Sequence, residues 1–203
     1  MNFLAHTYLS FESPGLIVGN YLGDFIRNKD LAVLPVDIKN GVLLHRAIDS
    51  YTDRHEMVKK GTSLLHNSMG KYAPVVLDIY FDFLLSKRWS DFNDDALSDY
   101  CLLPYRVLMA HEKFMSERIA NRMNRMVADR WLENYQSYEG IARVFRFLAK
   151  RVRFKSNLIN APHILKEMEA PLEEVFMVFF PDLISHCQEK IDEFNSSSEK
   201  EAR

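Results

Sequence analysis

Histidines and aspartates in the N-terminal part of this chain lie on segments that are otherwise apolar. At the helical spacing of four residues, His45, Asp49 and Asp53 fall on one stripe of a segment that also carries Val42 and Ile48. Imidazole nitrogen and carboxylate oxygen are ligands that suit Mn²⁺, Fe²⁺ or Zn²⁺. Because a His and an Asp at this spacing also form surface salt bridges and helix caps, the pattern alone leaves a metal site and a salt bridge open.

A second acidic pair lies in the apolar segment 74–88. Asp78 and Asp82 are four residues apart and therefore share one face of the predicted helix. Two like charges on a buried face are costly unless something neutralises them. A cation, a basic side chain such as Arg46, or a raised pKa of one carboxyl group would each do so.

Two further candidates come from the first 25 residues. His6 lies between apolar residues, where a histidine can also be a structural core residue, and Asp24 follows an apolar stretch. Gly19 and Gly23 lie four apart in that stretch, which indicates close packing or a backbone that must approach another group. The density of imidazoles and carboxylates on hydrophobic segments predicts that they converge inside the protein around a cation.

These residues must be positioned by helices. The 203 residues include only 7 Gly and 7 Pro, and apolar residues recur at three- and four-residue spacing, which predicts an all-α fold. Pro171 and Pro181 predict a break or kink in the last helix. The polar residues 195–203 predict a disordered tail behind a single domain of residues 1–194. The predicted helices span residues 2–11, 15–28, 36–52, 56–70, 74–88, 95–112, 116–128, 130–136, 138–153 and 161–192.

Composition excludes several classes of protein. A net charge of −2 argues against a general nucleic-acid binder, which would usually be strongly basic. No window approaches 18 uncharged apolar residues, so we expect no membrane-spanning helix. The N-terminus lacks the pattern of a signal peptide, and we therefore expect a cytoplasmic protein.

The stretch from Gly140 to Lys166 contains no Asp or Glu. Such a face attracts acidic partners, and the alternatives are an acidic protein, a phosphate-rich substrate, RNA, or simply a solvated helix surface. Upstream, Arg118, Arg122 and Arg125 recur at helical spacing. The candidate partner-binding residues are Arg143, Arg146, Lys150, Arg151, Arg153 and Lys155.

Several motifs together resemble the acyl carrier protein phosphodiesterase family, also called acyl carrier protein hydrolase. The resemblance runs from the first residue to about residue 185. The motifs are Asn2-Phe-Leu-Ala-His6, Gly19-Asn…Gly-Asp24-Phe, His45-Arg-x-Ile-Asp49-x-x-Thr-Asp53, Leu77-Asp-x-x-x-Asp82 and Ala128-Asp-x-Trp-Leu-x-x-Tyr135.

The resemblance implies a fold and an activity. The fold would be a compact multi-helix bundle like that of HD-domain phosphohydrolases. The activity would be metal-dependent hydrolysis of the phosphodiester that joins 4′-phosphopantetheine to a serine of holo acyl carrier protein, with Mn²⁺ favoured and the acidic carrier protein docked on the basic stretch. The metal and catalytic residues that the resemblance implies are His6, Asp24, His45, Asp49, Asp78 and Asp82. Among them we expect His6, Asp24, His45 and Asp82 to be the metal ligands and Asp24, Asp49 and Asp78 to be catalytic. We also expect Arg46 or Arg27 to stabilise the charge on the phosphoryl oxygens, because a guanidinium fork matches phosphate.

One position departs from the family. A histidine usually follows the second Asp of the Asp-xxx-Asp helix, whereas this chain has Phe83. Two other functions therefore stay open. One is a phosphohydrolase of the HD type that acts on another phosphoester, and the other is a non-catalytic binder of acyl carrier protein whose metal site has decayed.

Overall fold

The computed structural model describes residues 2–153 and 156–201, and these residues form helices and connecting segments with no strand. The prediction of an all-α fold is confirmed, while the relation to HD-domain bundles stays a prediction. None of the described helices is long and apolar enough to cross a membrane. The α-helices are α1 (Phe3–Tyr8), α2 (Pro14–Leu22), α3 (Val36–Arg54), α4 (Glu56–Met69), α5 (Ala73–Lys87), α6 (Leu97–Tyr100), α7 (Leu102–Ala110), α8 (Glu117–Ala128), α9 (Tyr138–Ala149) and α10 (Ala161–Glu201).

Short 3-10 helices connect several of these elements. One of them, Trp131–Gln136, replaces the α-helix predicted for 130–136 and packs between α9 and α5. The others are Asn28–Val33, Gly70–Tyr72, Trp89–Asp91, Glu112–Phe114 and Leu158–Asn160.

Several predicted helices are shorter in the structure. The helix predicted for 15–28 ends at Leu22, and the one predicted for 138–153 ends at Ala149. The first helix of the chain ends at Tyr8 rather than at residue 11, because Phe11 and Glu12 have φ angles of 45° and 57°, which a right-handed helix cannot contain. The segment 95–112 is divided at Cys101 into α6 and α7.

The predicted break in the last helix is wrong. α10 continues through Pro171 and Pro181, although each proline removes one backbone donor. The opposite side of the helix buries Phe176, Phe179 and Phe180 completely, and this burial offsets the missing hydrogen bonds.

The end of α10 lies in the segment 195–203, for which the disordered tail stays a prediction. The helix continues to Glu201, and the hydroxyls of Ser196 and Ser197 donate to carbonyl oxygens one turn earlier. The last two residues of the chain lie outside the described residues. The assignment of one domain to residues 1–194 stays a prediction.

The core lies between α5 and α10. From Val76 to Leu85, α5 is buried at every position except Asp78, and the ring of Phe81 stacks 5.3 Å from that of Phe179. α10 also packs against α3, α4 and α9. α5 and α10 thus form the frame against which the shorter N-terminal helices are placed.

Helices α2 and α3 approach each other with their backbones in contact. A Cβ atom on Gly19 would lie 2.0 Å from the carbonyl oxygen of Ile38, and one on Gly41 would lie 2.6 Å from that of Leu16. Only glycine at both positions allows this distance. The close packing inferred from Gly19 is therefore confirmed, and it brings the inner faces of the two helices together.

Replacing Gly19 with alanine should destabilise the protein by about 1–3 kcal/mol, because the new methyl group meets backbone that cannot move aside. Gly61→Ala is the matched control, since its nearest neighbours are the flexible side chains of Leu77 and Val175 at 3.1–3.3 Å. Urea unfolding of the two variants measures the difference. Equal stabilities would contradict the proposed backbone contact.

Candidate active site

A pocket opens between α1, the end of α2 and the middle of α3. It collects four of the residues that the sequence singles out: His6, Asp24, His45 and Asp49. The remaining lining residues are Asn2, Phe3, Thr7, Asn20 and Tyr21.

The rings of His6 and His45 are buried and stacked, with centroids 4.2 Å apart and planes inclined by 21°. The side-chain amide of Asn20 lies at the Nδ1 edge of both rings. Its Nδ2 is 2.7 Å from the carbonyl oxygen of His6 and 3.1 Å from the hydroxyl of Ser10. Because a carbonyl oxygen can only accept, this atom must be the amide nitrogen.

The amide oxygen of Asn20 therefore faces both imidazoles. It lies 2.7 Å from Nδ1 of His6 and 3.2 Å from Nδ1 of His45. An amide oxygen can only accept, so both Nδ1 atoms carry a hydrogen and donate to it. The tautomer of each imidazole is thereby fixed, with Nε2 left for the pocket.

Each Nε2 atom faces carboxylate oxygens. His6 Nε2 is 3.3 Å from Oδ1 of Asp49, and His45 Nε2 is 3.3 Å from Oδ1 of Asp24 and 3.2 Å from Oδ2 of Asp49. Two stacked imidazolium cations would repel each other, so one Nε2 must present a lone pair to a carboxylate. A lone pair against a carboxylate is unfavourable unless a cation lies between them.

The residues present fit a divalent metal ion. One ligand atom from each of His6, His45 and Asp49 lies within 4.8 Å of the others, and Asp24 adjoins His45. Metal-binding histidines commonly donate their second N–H to a fixed acceptor, which is what Asn20 provides. The His side chains are 9% and 8% exposed and those of Asp49 and Asp24 are 45% and 62% exposed, so the nitrogens lie deep and the carboxylates lie at the mouth.

The electrostatics of the pocket favour ionised carboxylates. The hydrogen bond from His45 lowers the pKa of Asp24. Burial acts to raise the pKa of Asp49, but the two imidazoles outweigh it and hold that pKa below its usual range. Burial acts to lower the pKa of His45, but both carboxylates outweigh it and raise this pKa to about 9, whereas burial lowers the pKa of His6. Without a metal ion, His45 is therefore the protonated imidazole at neutral pH and His6 is the neutral one.

The structure does not bring Asp82 to the pocket. Its carboxylate is fully buried on α5 and accepts the backbone N–H groups of Asn2 at 3.3 Å, Leu4 at 2.8 Å and Ala5 at 3.3 Å. Burial raises the pKa of Asp82 to about 7 against the effect of these donors. Asp82 thus caps α1 and positions His6. The groups that stabilise its carboxylate are backbone N–H donors, not the cation or the arginine that the sequence suggests.

The other acids of the predicted set are not among the lining residues. Asp78 is half-buried on α5, one turn before Asp82, and Asp53 is exposed one turn beyond Asp49 on α3.

The two arginines expected near the phosphate have other contacts. Arg46 donates to Oδ1 of Asn28 at 2.7 Å and to the carbonyl oxygen of Ile26 at 2.9 Å, so it fixes the segment that follows Asp24. Arg27 forms an exposed pair with the carboxylate of Asp30 at 3.1 Å. Neither lines the pocket.

Two residues that shape the pocket were missed as site residues. A Cβ atom on Gly23 would lie 2.1 Å from Cγ of His45, so this glycine makes room for the ring. Asn20 is 2% exposed. The signal that could have found it is an amide inside the apolar run Leu16–Leu22, since a buried amide needs partners.

Comparison with known proteins identifies the family. A family model described as acyl carrier protein phosphodiesterase matches residues 1–183. The chain belongs to this family. The acyl carrier protein phosphodiesterase of Yersinia enterocolitica is 30% identical over 191 residues, which cover 94% of this chain and 99% of the relative. Those of an Enterobacter species and of Escherichia coli are 30% and 29% identical, with the same coverage. No solved structure matches the chain. As a member of a phosphodiesterase family, the chain is a hydrolase.

The departure from the acyl carrier protein phosphodiesterase family at Phe83 lies outside the pocket. Phe83 is 3% exposed and packs against the ring of Tyr138 on α9, with centroids 5.0 Å apart. It therefore takes no ligand away from the group formed by His6, His45 and Asp49.

In the metal-free protein, we expect His45 to titrate near pH 9, because Asp24 and Asp49 stabilise its charged form. Because its pKa is raised on folding, His45 adds to the free energy of unfolding. This contribution is complete below pH 6.5 and is lost as the pH rises through about 9. NMR titration of the imidazole measures it. Asp49→Asn should move the pKa back toward 6.5, whereas Asp53→Asn on the same helix should not. A wild-type value near 6.5 would contradict the arrangement.

Proposed function

We propose that this protein hydrolyses the phosphodiester between 4′-phosphopantetheine and the serine of holo acyl carrier protein, with a divalent metal ion, Mn²⁺ in the first instance. The ion would be held by His6, His45, Asp49 and Asp24. The observation that supports this most directly is the pair of imidazoles whose Nδ1 hydrogens are both bound by Asn20, which leaves their Nε2 atoms directed at carboxylates. The substrate comes from the names of the family and its relatives.

When bound, a divalent ion supplies Lewis-acid polarisation of the phosphoryl group and makes water more acidic. The protein's own residues do the rest. Asp24 is 62% exposed with a lowered pKa, so it stays ionised at the mouth of the pocket and can accept a hydrogen bond from water there. Asn20 keeps both imidazoles oriented, and Asp49 contacts both of them.

A basic face suits the acidic carrier protein. On and after α9, Arg143, Arg146, Lys150, Arg151 and Arg153 are all exposed, while Lys155 lies outside the described residues. Phe147 lies among them, 55% exposed, with the Arg151 guanidinium 5.5 Å from its ring. Exposed cations around an apolar side chain can attract an acidic helix and then pack against it.

The basic face is connected to the pocket through one element. α9 packs against the 3-10 helix Trp131–Gln136, and Trp131 lies 6.3 Å from the ring of Phe3, which lines the pocket. The segment Trp131–Gln136 thus contacts both the helix that carries the basic face and a residue that lines the pocket. The alternative is that the protein hydrolyses a different phosphoester. A screen of phosphodiesters in the presence of Mn²⁺ distinguishes the two functions.

Incubation of the protein with holo acyl carrier protein and Mn²⁺, followed by intact mass, should show loss of the phosphopantetheine arm. His45→Ala and Asp49→Ala should reduce the rate by at least about 100-fold and abolish stoichiometric Mn²⁺ binding, because each removes a ligand. Asp78→Asn is the matched control, since it removes a carboxylate that does not line the pocket, and it should keep both properties. An unchanged mass with wild-type protein would end the proposal.

Reversing charge on the basic face, by Arg146→Glu together with Arg151→Glu, should raise KM for the carrier protein about tenfold and leave kcat nearly unchanged, because these exposed charges act mainly on encounter. The effect should shrink at high salt. Lys59→Glu together with Lys60→Glu, two exposed changes of the same sign on α4, is the control with the same change in net charge. If both variants alter KM equally, net charge rather than this face is responsible.

A further inference from the structure

Arg122 on α8 lies in a cage of aromatic rings. Its guanidinium carbon is 5.4 Å from the ring centroid of Phe3, 5.7 Å from that of Phe25 and 5.6 Å from that of Trp131. Rings at these distances attract the cation and restrict its movement. The guanidinium is therefore held in place by contacts that use none of its five N–H donors.

The Nε donor of Arg122 is buried and lacks a hydrogen-bond acceptor in the part of the chain that the structure describes. Among those residues, no ion pair includes Arg122, whereas Arg130 on the neighbouring segment is paired with Glu133 at 2.6 Å. A buried donor without an acceptor is costly, so such a group indicates a partner that comes from outside the chain.

A second unpartnered group lies beside it. Tyr21 is 7% exposed and lines the pocket, and its hydroxyl is buried without a hydrogen-bond partner in the described part of the chain. Its ring is 6.3 Å from that of Phe3 and 5.9 Å from that of Phe25, two of the rings around Arg122. Burial raises the pKa of Tyr21 to about 12, and the nearby charge of Arg122 acts against this rise. At neutral pH the hydroxyl is therefore a donor.

We propose that Arg122 and the hydroxyl of Tyr21 form an anion subsite at the aromatic rim of the pocket and bind the non-bridging oxygens of the substrate's phosphate. A guanidinium fork matches two phosphate oxygens, and a phenol adds a third donor. Phe3 belongs both to the pocket lining and to the cage, so the subsite adjoins the candidate ligands. This assignment rests on the proposed function for its substrate, and it takes the role that the sequence gives to Arg46 or Arg27.

The subsite can be tested without turnover, with inorganic phosphate as the probe. Titration calorimetry is run on the protein with and without Mn²⁺. Wild-type protein should bind phosphate, and Arg122→Gln should weaken that binding at least about tenfold, because a charge-assisted pair is lost. Arg118→Gln and Arg125→Gln are matched controls, since both residues are exposed on the same helix one turn away. They should bind phosphate like the wild type.

Two milder variants keep the test decisive if Arg122→Gln does not fold. Arg122→Lys keeps the charge but loses the fork, and Tyr21→Phe removes only the hydroxyl. Each should weaken phosphate binding about two- to tenfold and raise KM for the carrier protein, with Mn²⁺ affinity and the unfolding midpoint unchanged. Phosphate affinity that is absent from the wild type, or equal in all folded variants, would overturn the subsite. If phosphate binds as expected but holo carrier protein is not cleaved, the proposed function fails and the subsite stands.

Discussion

The side-chain oxygen of Asn20, shared between two Nδ1 donors, is the constraint on which the candidate site depends. It accepts from His6 at 2.7 Å and from His45 at 3.2 Å, and it can do so only because its amide nitrogen is bound to the carbonyl oxygen of His6. An amide cannot exchange these roles without placing its oxygen against the carbonyl oxygen of His6, which can only accept. The two imidazoles are thereby fixed in tautomer and in orientation before any ligand arrives.

The close packing of α2 against α3 allows Asn20 to reach both imidazoles. Asn20 is on α2 and His45 is on α3, and the two helices approach closely because Gly19 and Gly41 carry no side chain. Gly23 then leaves space for the imidazole of His45. Glycines inside helices weaken them by about 1 kcal/mol each, so their presence on this interface indicates that the short distance matters more than helix propensity.

Much of the fold and part of the site could be predicted from the sequence. Periodicity located nearly all helices, and residue type with four-residue spacing identified His6, Asp24, His45 and Asp49, which do meet. Spacing on one helix indicates which residues share a face. It does not indicate which groups of a distant segment contact that face. Spacing therefore could not show that the partners of Asp82 are backbone N–H groups 77 to 80 residues away. The aromatic cage of Arg122 was equally invisible, because its rings come from three separate segments.

The prolines of α10 also show that local sequence rules do not account for long-range packing. A proline in a helical pattern predicts a break on local grounds, yet α10 passes through both of its prolines. The local rule is overridden because burial of a phenylalanine side chain is worth about 1.5–3 kcal/mol, and three of them are buried on the same helix. Local rules thus fail where long-range packing contributes more than the local cost.

Helix α1 joins the two halves of the site in a single element. It has six residues, too few to be stable alone, and it carries both His6, in the group of candidate ligands, and Phe3, in the aromatic cage. The carboxylate of Asp82 binds its first turn, and Asn20 binds its carbonyl at His6. Since Phe3 and His6 are one turn apart on a helix anchored at both places, one candidate metal ligand and one ring of the cage keep a fixed spacing. Under the proposed function, this spacing helps to position a diester for hydrolysis.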